Sequence, residues 1–316
     1  LLAGVTAVEL TPHVFSLPAQ PAFYTGPQAP NVFLVHDSGE GALIDAGFGD
    51  EKSVKERLEM LKEFPKVSVK TIILTHHHFD HSSGAQQFRE ATGASVVLHP
   101  KEEEFLLDSQ SEAPQDIELG GDGKELTDAE KKILEQVQKF REQAAEAKPD
   151  SHIGDGDAIK VGGLTIDVVH TPGHTLGSVC LYLREEKALF TGDTAQGLGT
   201  VVVSPPPYGD MGLYVQSLER LKTMDCAVML PGHGQAVHEV SAKMQELIDH
   251  RHSREEQILR LMADGKKTPK EMLGAIYMEI DKRIKPMALR QIEAHLCKLE
   301  SEGRVKRAEE EWAFAD

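Results

Sequence analysis

The sequence predicts a layered α/β protein followed by a small helical unit that ends in a hairpin. Three observations carry this. Two strand-rich stretches, one before residue 100 and one from residue 153 to about 231, are joined by segments of helical periodicity. After residue 240 the pattern turns helical and alternates again only in the last dozen residues. Four polar clusters, "THHHFDH", "TPGHT", "FTGDT" and "LPGHG", each follow directly on an apolar, strand-like run.

The elements follow in order. Residues 5–17 and 31–46 read as strands, with a hairpin through Asp37-Ser38-Gly39. Val54, Leu58 and Leu61 fall at helical spacing within 50–64, and "VKTIILT" (69–75) is a short buried strand entering the histidine cluster. A helix at 84–91 and the strand "ASVVLHP" come next. Residues 101–150 differ: they hold fifteen acidic and seven basic residues, a Gly-rich spacer, and a helix beginning at Thr127, where Thr127-x-x-Glu130 forms a capping box. The expectation is an insertion over the core, either a lid or a solvated surface helix with Ile133, Val137 and Phe140 on one face. Strands resume through residue 192, and after Pro205–Pro207 come a helix at 212–224 and the strand of "CAVMLPGHG". The tail offers a helix at 241–264 stopped by Gly265, a second helix from Thr268-Pro269 to about Ile280, a third opened by Pro286, and a hairpin in "RVKRAEEEWAFA". Three helices and a hairpin make a winged-helix unit. The division is therefore 1–240 and 241–316.

The bulk numbers exclude several classes. A net charge of −17 opposes non-specific binding to phosphate backbones. The three cysteines form no C-x-x-C pair, so neither a disulfide framework nor a thiolate zinc site is indicated, and a reducing cytosol fits. No run approaches the roughly 18 apolar residues of a membrane span. The opening "LLAGVTAVELTP" lacks the pattern of a signal peptide, and without an initiator methionine it need not be the native start.

The clusters point to metal. Residues His76 to His81 hold four histidines and an aspartate. The spacing His76-x-His78-x-Asp80-His81 offers imidazole and carboxylate donors along a turning loop, and His174, Asp193 and His233 lie at three further strand ends. Five histidines and two aspartates suffice for two adjacent divalent ions, zinc first, with iron or manganese accepting the same donors. No serine or cysteine is placed as a nucleophile, so a hydroxide generated between the ions is the expected attacking group. His77 is expected to point away from the metals and to matter little. His170 is expected to support rather than ligate, and His250 and His252 to be ordinary helix residues.

On "THHHFDH", "TPGHT", "TGD" and "PGHG" in that order, the chain resembles the metallo-β-lactamase superfamily over about residues 6–240. The resemblance implies an αββα sandwich with the metals at one edge. His76, His78 and His174 would hold the first ion, Asp80, His81 and His233 the second, and Asp193 would bridge them. Asp80 and Asp193 are the expected catalytic carboxylates, Asp80 orienting the attacking water. The stretch "LERLKTMDCAVMLPGHGQAVHEVSAKMQELIDHRHSREEQIL" and the winged-helix tail look like the lactamase-beta-2-like branch. The insert at 101–150 and "HSSG", where two glycines are commoner, depart from that pattern.

The branch implies two substrate classes, carrier-bound acyl thioesters and single-stranded RNA. A bridging aspartate argues against β-lactam turnover, and the tail argues against the single-iron persulfide oxidation of shorter relatives. Between Arg251 and Asp316 fourteen basic residues offset thirteen acidic ones, and the third tail helix mixes Arg290 and Lys298 with Glu293, Glu300 and Glu302. A nucleic-acid-binding helix would show a basic stripe. The expected role of the tail is to pack against the catalytic domain, and the expected substrate is a thioester or another small ester.

Overall fold

A computed structural model describes residues 6–21, 29–109, 127–278 and 284–315. Two sheets face each other. The first runs β1 (Val8–Thr11), β2 (Val14–Ser16), β3 (Phe33–Asp37), β4 (Glu40–Ile44), β5 (Ser68–Ile73), β6 (Ser95–Leu98) and β7 (Ser151–His152) in chain order. It is antiparallel up to β4 and parallel beyond it. The β3–β4 hairpin turns at Ser38 and Gly39, with φ of 51° and 88°, the left-handed pair that a two-residue turn between twisted strands requires.

The second sheet is built from β8 (Ala158–Val161), β9 (Leu164–His170), β10 (Val179–Leu183), β11 (Ala188–Gly192) and β12 (Val228–Pro231), in the order β12-β11-β10-β9-β8. Side chains alternate between layers as strand geometry demands. Phe33, Val35, Leu181 and Phe190 enter the core between the sheets. Leu34 and Leu43 face outward to α1 (Glu51–Leu61) and α3 (Ala85–Thr92), through Met60 and Phe88, and the one-turn α2 (Phe79–Ser82) lies between those helices in the chain. Cys180 and Leu189 face α6 (Met211–Lys222) and α7 (Val240–Ala263) on the opposite side. Each such apolar side chain contributes about 1.5–3 kcal/mol, and the four layers form the αββα sandwich that the family resemblance implies.

Within 101–150, the described residues form α4 (Pro100–Leu107) and α5 (Asp128–Glu146), while the Gly-rich spacer lies outside them. Thr127 and Glu130 make the expected capping box. Helix α5 is a surface helix anchored to the core by two buried residues, Phe140 and Ala144. Leu106 and Ala144 join the outer core of the first sheet, and the Phe140 ring packs 4.9 Å from Phe48 and 6.2 Å from Phe79.

Helix α7 belongs to two cores at once. Its first half packs on the second sheet through Val240, Met244 and Leu247, and its second half supplies Ile258 and Met262 to the C-terminal unit. That unit adds α8 (Pro269–Ile276), α9 (Lys285–Ser301), β13 (Val305–Ala308) and β14 (Glu311–Phe314). Leu296, Leu299 and Trp312 fill its centre. The second helix, expected to reach Ile280, ends at Ile276 because Tyr277 leaves helical geometry with φ −127° and ψ 84°. Helix α9 spends one face on this core and another on the sandwich, where Ala294 joins the cluster beneath α6. Its Lys298 ammonium lies 3.0 Å from Glu255. Among the described residues no helix is long and apolar enough to cross a membrane.

Candidate metal centre

The motif residues gather at one edge of the sandwich because parallel strands end together. β4 and β5 are parallel in the first sheet, and β11 and β12 in the second. Each strand delivers its side chain just beyond its last residue, where the backbone is free to turn. The edges are tied across the gap by the Val179 amide donating to the Thr75 carbonyl (3.0 Å) and the Asn31 amide to Gly232 (2.7 Å). Two glycines make the convergence sterically possible. Gly173, at φ 148°, lies so close to Tyr214 that a Cβ would sit 2.3 Å from its Cα, and a Cβ on Gly232 would sit 2.7 Å from both Asp193 Oδ1 and the His81 ring.

The donor atoms fall into two groups that share one carboxylate. His78 Nδ1 lies 3.1 Å from His76 Nε2 and 2.9 Å from His174 Nε2. His233 Nε2 lies 3.1 Å from His81 Nε2 and 3.2 Å from Asp80 Oδ2. Asp193 stands between them. Its Oδ1 is 3.5 Å from His81 Nε2 and 3.6 Å from His233 Nε2, while Oδ2 is 3.9 Å from His174 Nε2.

Hydrogen bonds behind the rings choose their tautomers. The His174 Nδ1–H donates to the Val202 carbonyl (2.7 Å), which can only accept, so Nε2 keeps its lone pair. Thr75 donates its hydroxyl to Asp45 Oδ2 (3.0 Å) and therefore accepts from His76 Nδ1 (2.9 Å), again leaving Nε2 free. His81 Nδ1 bonds Asp45 Oδ2 (2.8 Å). These are the carbonyl and carboxylate partners that metal-ligating histidines use.

Two supporting acids escaped the sequence reading. Asp45 orients both His76, through Thr75, and His81, and it holds a left-handed φ of 57° to do so. Glu102, fully buried on α4, links the two halves: Oε2 accepts from the His77 amide (2.9 Å) and Oε1 from the Gly177 amide (2.6 Å). The His77 ring points away from the donor groups as expected. It is not a bystander, because its Nδ1 lies 2.5 Å from Glu102 Oε2 and both side chains are buried. The unusual serines of "HSSG" are buried too: Ser82 donates to the His77 carbonyl (2.8 Å), and Ser83 accepts from the Gly49 amide (2.9 Å). His170 stacks on His99 at 4.3 Å and bonds the Leu176 carbonyl, outside the donor groups. His250 and His252 are exposed.

The donors suit divalent cations and are poorly satisfied by one another. Asp193 Oδ1 is buried with no hydrogen-bond partner. His76 Nε2 and His174 Nε2 are both lone pairs aimed at a single His78 nitrogen, which cannot donate to both at full strength. Charge balance points the same way. Burial pushes His76 well below the ordinary histidine value and His174 down to about 4, so both are neutral ligands. At His81, burial opposes the proton, but the carboxylates of Asp80, Asp193 and Asp45 outweigh it and raise the ring well above 6.5. A cation entering that group replaces the proton, so uptake should release protons.

Similarity to known proteins extends over both parts of the chain. Residues 25–233 match the sequence model of the metallo-beta-lactamase superfamily, and residues 268–312 match that of the beta-lactamase associated winged helix domain. The Drosophila melanogaster beta-lactamase-like protein 2 homolog is 30% identical over 295 residues, spanning 90% of this chain and 88% of its own. An atrochrysone carboxyl ACP thioesterase of Aspergillus fumigatus is 28% identical over 268 residues, 79% of this chain and 69% of its own. Among solved structures, a metallo-beta-lactamase family protein from Thermus thermophilus superposes with a TM-score of 0.74 at 29% identity, covering 97% of this chain and 100% of that one. A beta-lactamase domain protein from Burkholderia ambifaria reaches 0.79 over 100% and 95% of the two chains, and at 21% identity the likeness is one of fold.

Proposed function

The chain belongs to the metallo-beta-lactamase superfamily as a metal-dependent hydrolase, and we propose that it works with two divalent ions, zinc first, on a thioester or another small ester. The observation that carries the two-ion reading is the position of Asp193, one oxygen toward each donor group. His76, His78 and His174 would hold one ion, Asp80, His81 and His233 the other, and Asp193 both. Such a pair supplies Lewis acidity, ionising water near neutral pH and polarising the acyl oxygen.

The chain's own residues do the rest. Burial would raise the Asp80 carboxyl, but His81 and His233 hold it at about 2, so it is a carboxylate and an acceptor. Its side chain is 22% exposed at the open side of the site, placed to take a proton from the attacking water and return it to the departing thiolate. Asp45 and Glu102 keep the ligand loops in register.

Two features favour a small acyl substrate over RNA. Glu103 and Glu104 stand on α4, the helix whose Glu102 holds the His77 loop. Helix α9, which a nucleic-acid-binding winged helix would offer to a groove, is committed to packing. The thioesterase activity in the name of the Aspergillus relative supports the same choice. The three cysteines, all free, favour a reducing cytosol.

The test compares initial rates on an acyl thioester and on a short unstructured RNA at low and moderate salt, with Asp80→Ala as the blank. Thioester hydrolysis should be faster and nearly independent of salt, since neutral substrates displace no counterions. Metal-dependent RNA cleavage that is faster than thioester hydrolysis and vanishes in the variant would overturn the proposal.

A further inference from the structure

We infer that the C-terminal winged-helix unit is a working part of the metal centre, fixing the backbone that orients His174, with Gln291 and Arg251 as positioning residues. The inference rests on the ligand reading above. His174 Nδ1 donates to the carbonyl of Val202 at 2.7 Å. The amide N–H of Val203 belongs to the same planar peptide unit as that carbonyl, and it donates to Gln291 Oε1 on α9 at 2.9 Å. One rigid plane thus carries the ligand's hydrogen bond on one side and the winged helix on the other. The preceding carbonyl, Val201, accepts from Arg251 Nη2 on α7 at 2.8 Å. With the groups on both flanks held, the Val202 carbonyl cannot swing away from the imidazole.

Burial excludes water as a substitute: Val203 is fully buried, Arg251 is 1% exposed and Gln291 7%. Arg251 also lies 5.0 Å over the Tyr214 ring, and Tyr214 is the residue pressed against Gly173 in the turn before His174. Gln291 Nε2 is buried without a partner. An apolar residue of the same length would avoid that cost, so packing alone does not account for an amide here, whereas an acceptor for Val203 does.

The test is a zinc titration of the full chain against a chromophoric chelator, with His174→Ala used to identify the binding step that belongs to the His76, His78 and His174 group. Gln291→Met keeps the length and removes the acceptor. It should weaken that step by about tenfold or more, the usual effect of losing a partner behind a ligand, and leave the other step within about twofold. Equal weakening of both steps, or of neither, would overturn the inference. If wild-type protein shows no two zinc steps, the ligand reading itself fails, which is a different result. Should Gln291→Met not fold, amide exchange of the wild type decides the matter through reciprocity. Zinc should slow exchange at residues 201–203 and in α9, and a change confined to the loops at 76–81, 174 and 233 would count against the role assigned to the winged helix.

Discussion

Asp193→Ala should lower turnover by about 10²–10⁴-fold while KM stays within a few fold. The side chain is shared by the two donor groups, 3.5–3.9 Å from nitrogens of each, and removing it leaves six outer ligands in place with nothing to fix one group against the other. Lewis-acid stabilisation of a developing charge is worth several kcal/mol, and each 1.36 kcal/mol is tenfold in rate. The effect should therefore fall on kcat. Steady-state kinetics on the thioester, with metal content measured on the same sample, checks it. A variant within tenfold of wild type would mean that Asp193 does not join the two groups.

His77→Ala should destabilise the protein by about 3–5 kcal/mol, the usual consequence of removing the partner of a buried carboxylate. Glu102 is fully buried and would lose its nearest donor. The pair also fixes a pH dependence. Burial alone would raise the Glu102 carboxyl, but the His77 ring and amide outweigh burial and hold it at about 2 against an ordinary 4.5. Because the folded value is depressed, the stabilisation is present above about pH 4.5 and is lost as pH falls from there toward 2. Denaturant unfolding of metal-free protein should show this loss in the wild type and a shallower one in Glu102→Gln. A His77→Ala variant within about 1 kcal/mol of wild type at pH 7 would contradict the account.

The contrast between these residues explains what could be read before the fold was known. The candidate metal ligands were legible because four of them sit within six residues and the other three follow apolar strands with a glycine beside each. The α/β layering was legible because strand-like apolar runs alternate along the chain with helical periodicities, whereas the αββα sandwich was implied only by the family resemblance. Glu102 was not legible. It lies in an acidic stretch where a carboxylate is ordinarily a solvated charge, and its partners are 25 and 75 residues away. Asp45 was hidden in the same way, 36 residues from His81. The expectation that His77 matters little followed from its facing away from the donor groups; its contact with the buried Glu102 argues for a structural role instead, which the His77→Ala variant tests. The hold of the winged helix on His174 runs through a peptide group at Val202 and Val203, and backbone groups leave no mark in the residue types.

The central claim is that seven side chains form two adjoining metal sites. Anomalous diffraction from crystals of the metal-loaded protein, recorded across the absorption edge of the bound metal, tests it most directly. Two peaks are expected, one among His76, His78 and His174 and one among Asp80, His81 and His233, both within bonding distance of Asp193. A single fully occupied peak, with Asp80, His81 and His233 turned away from it, would contradict it.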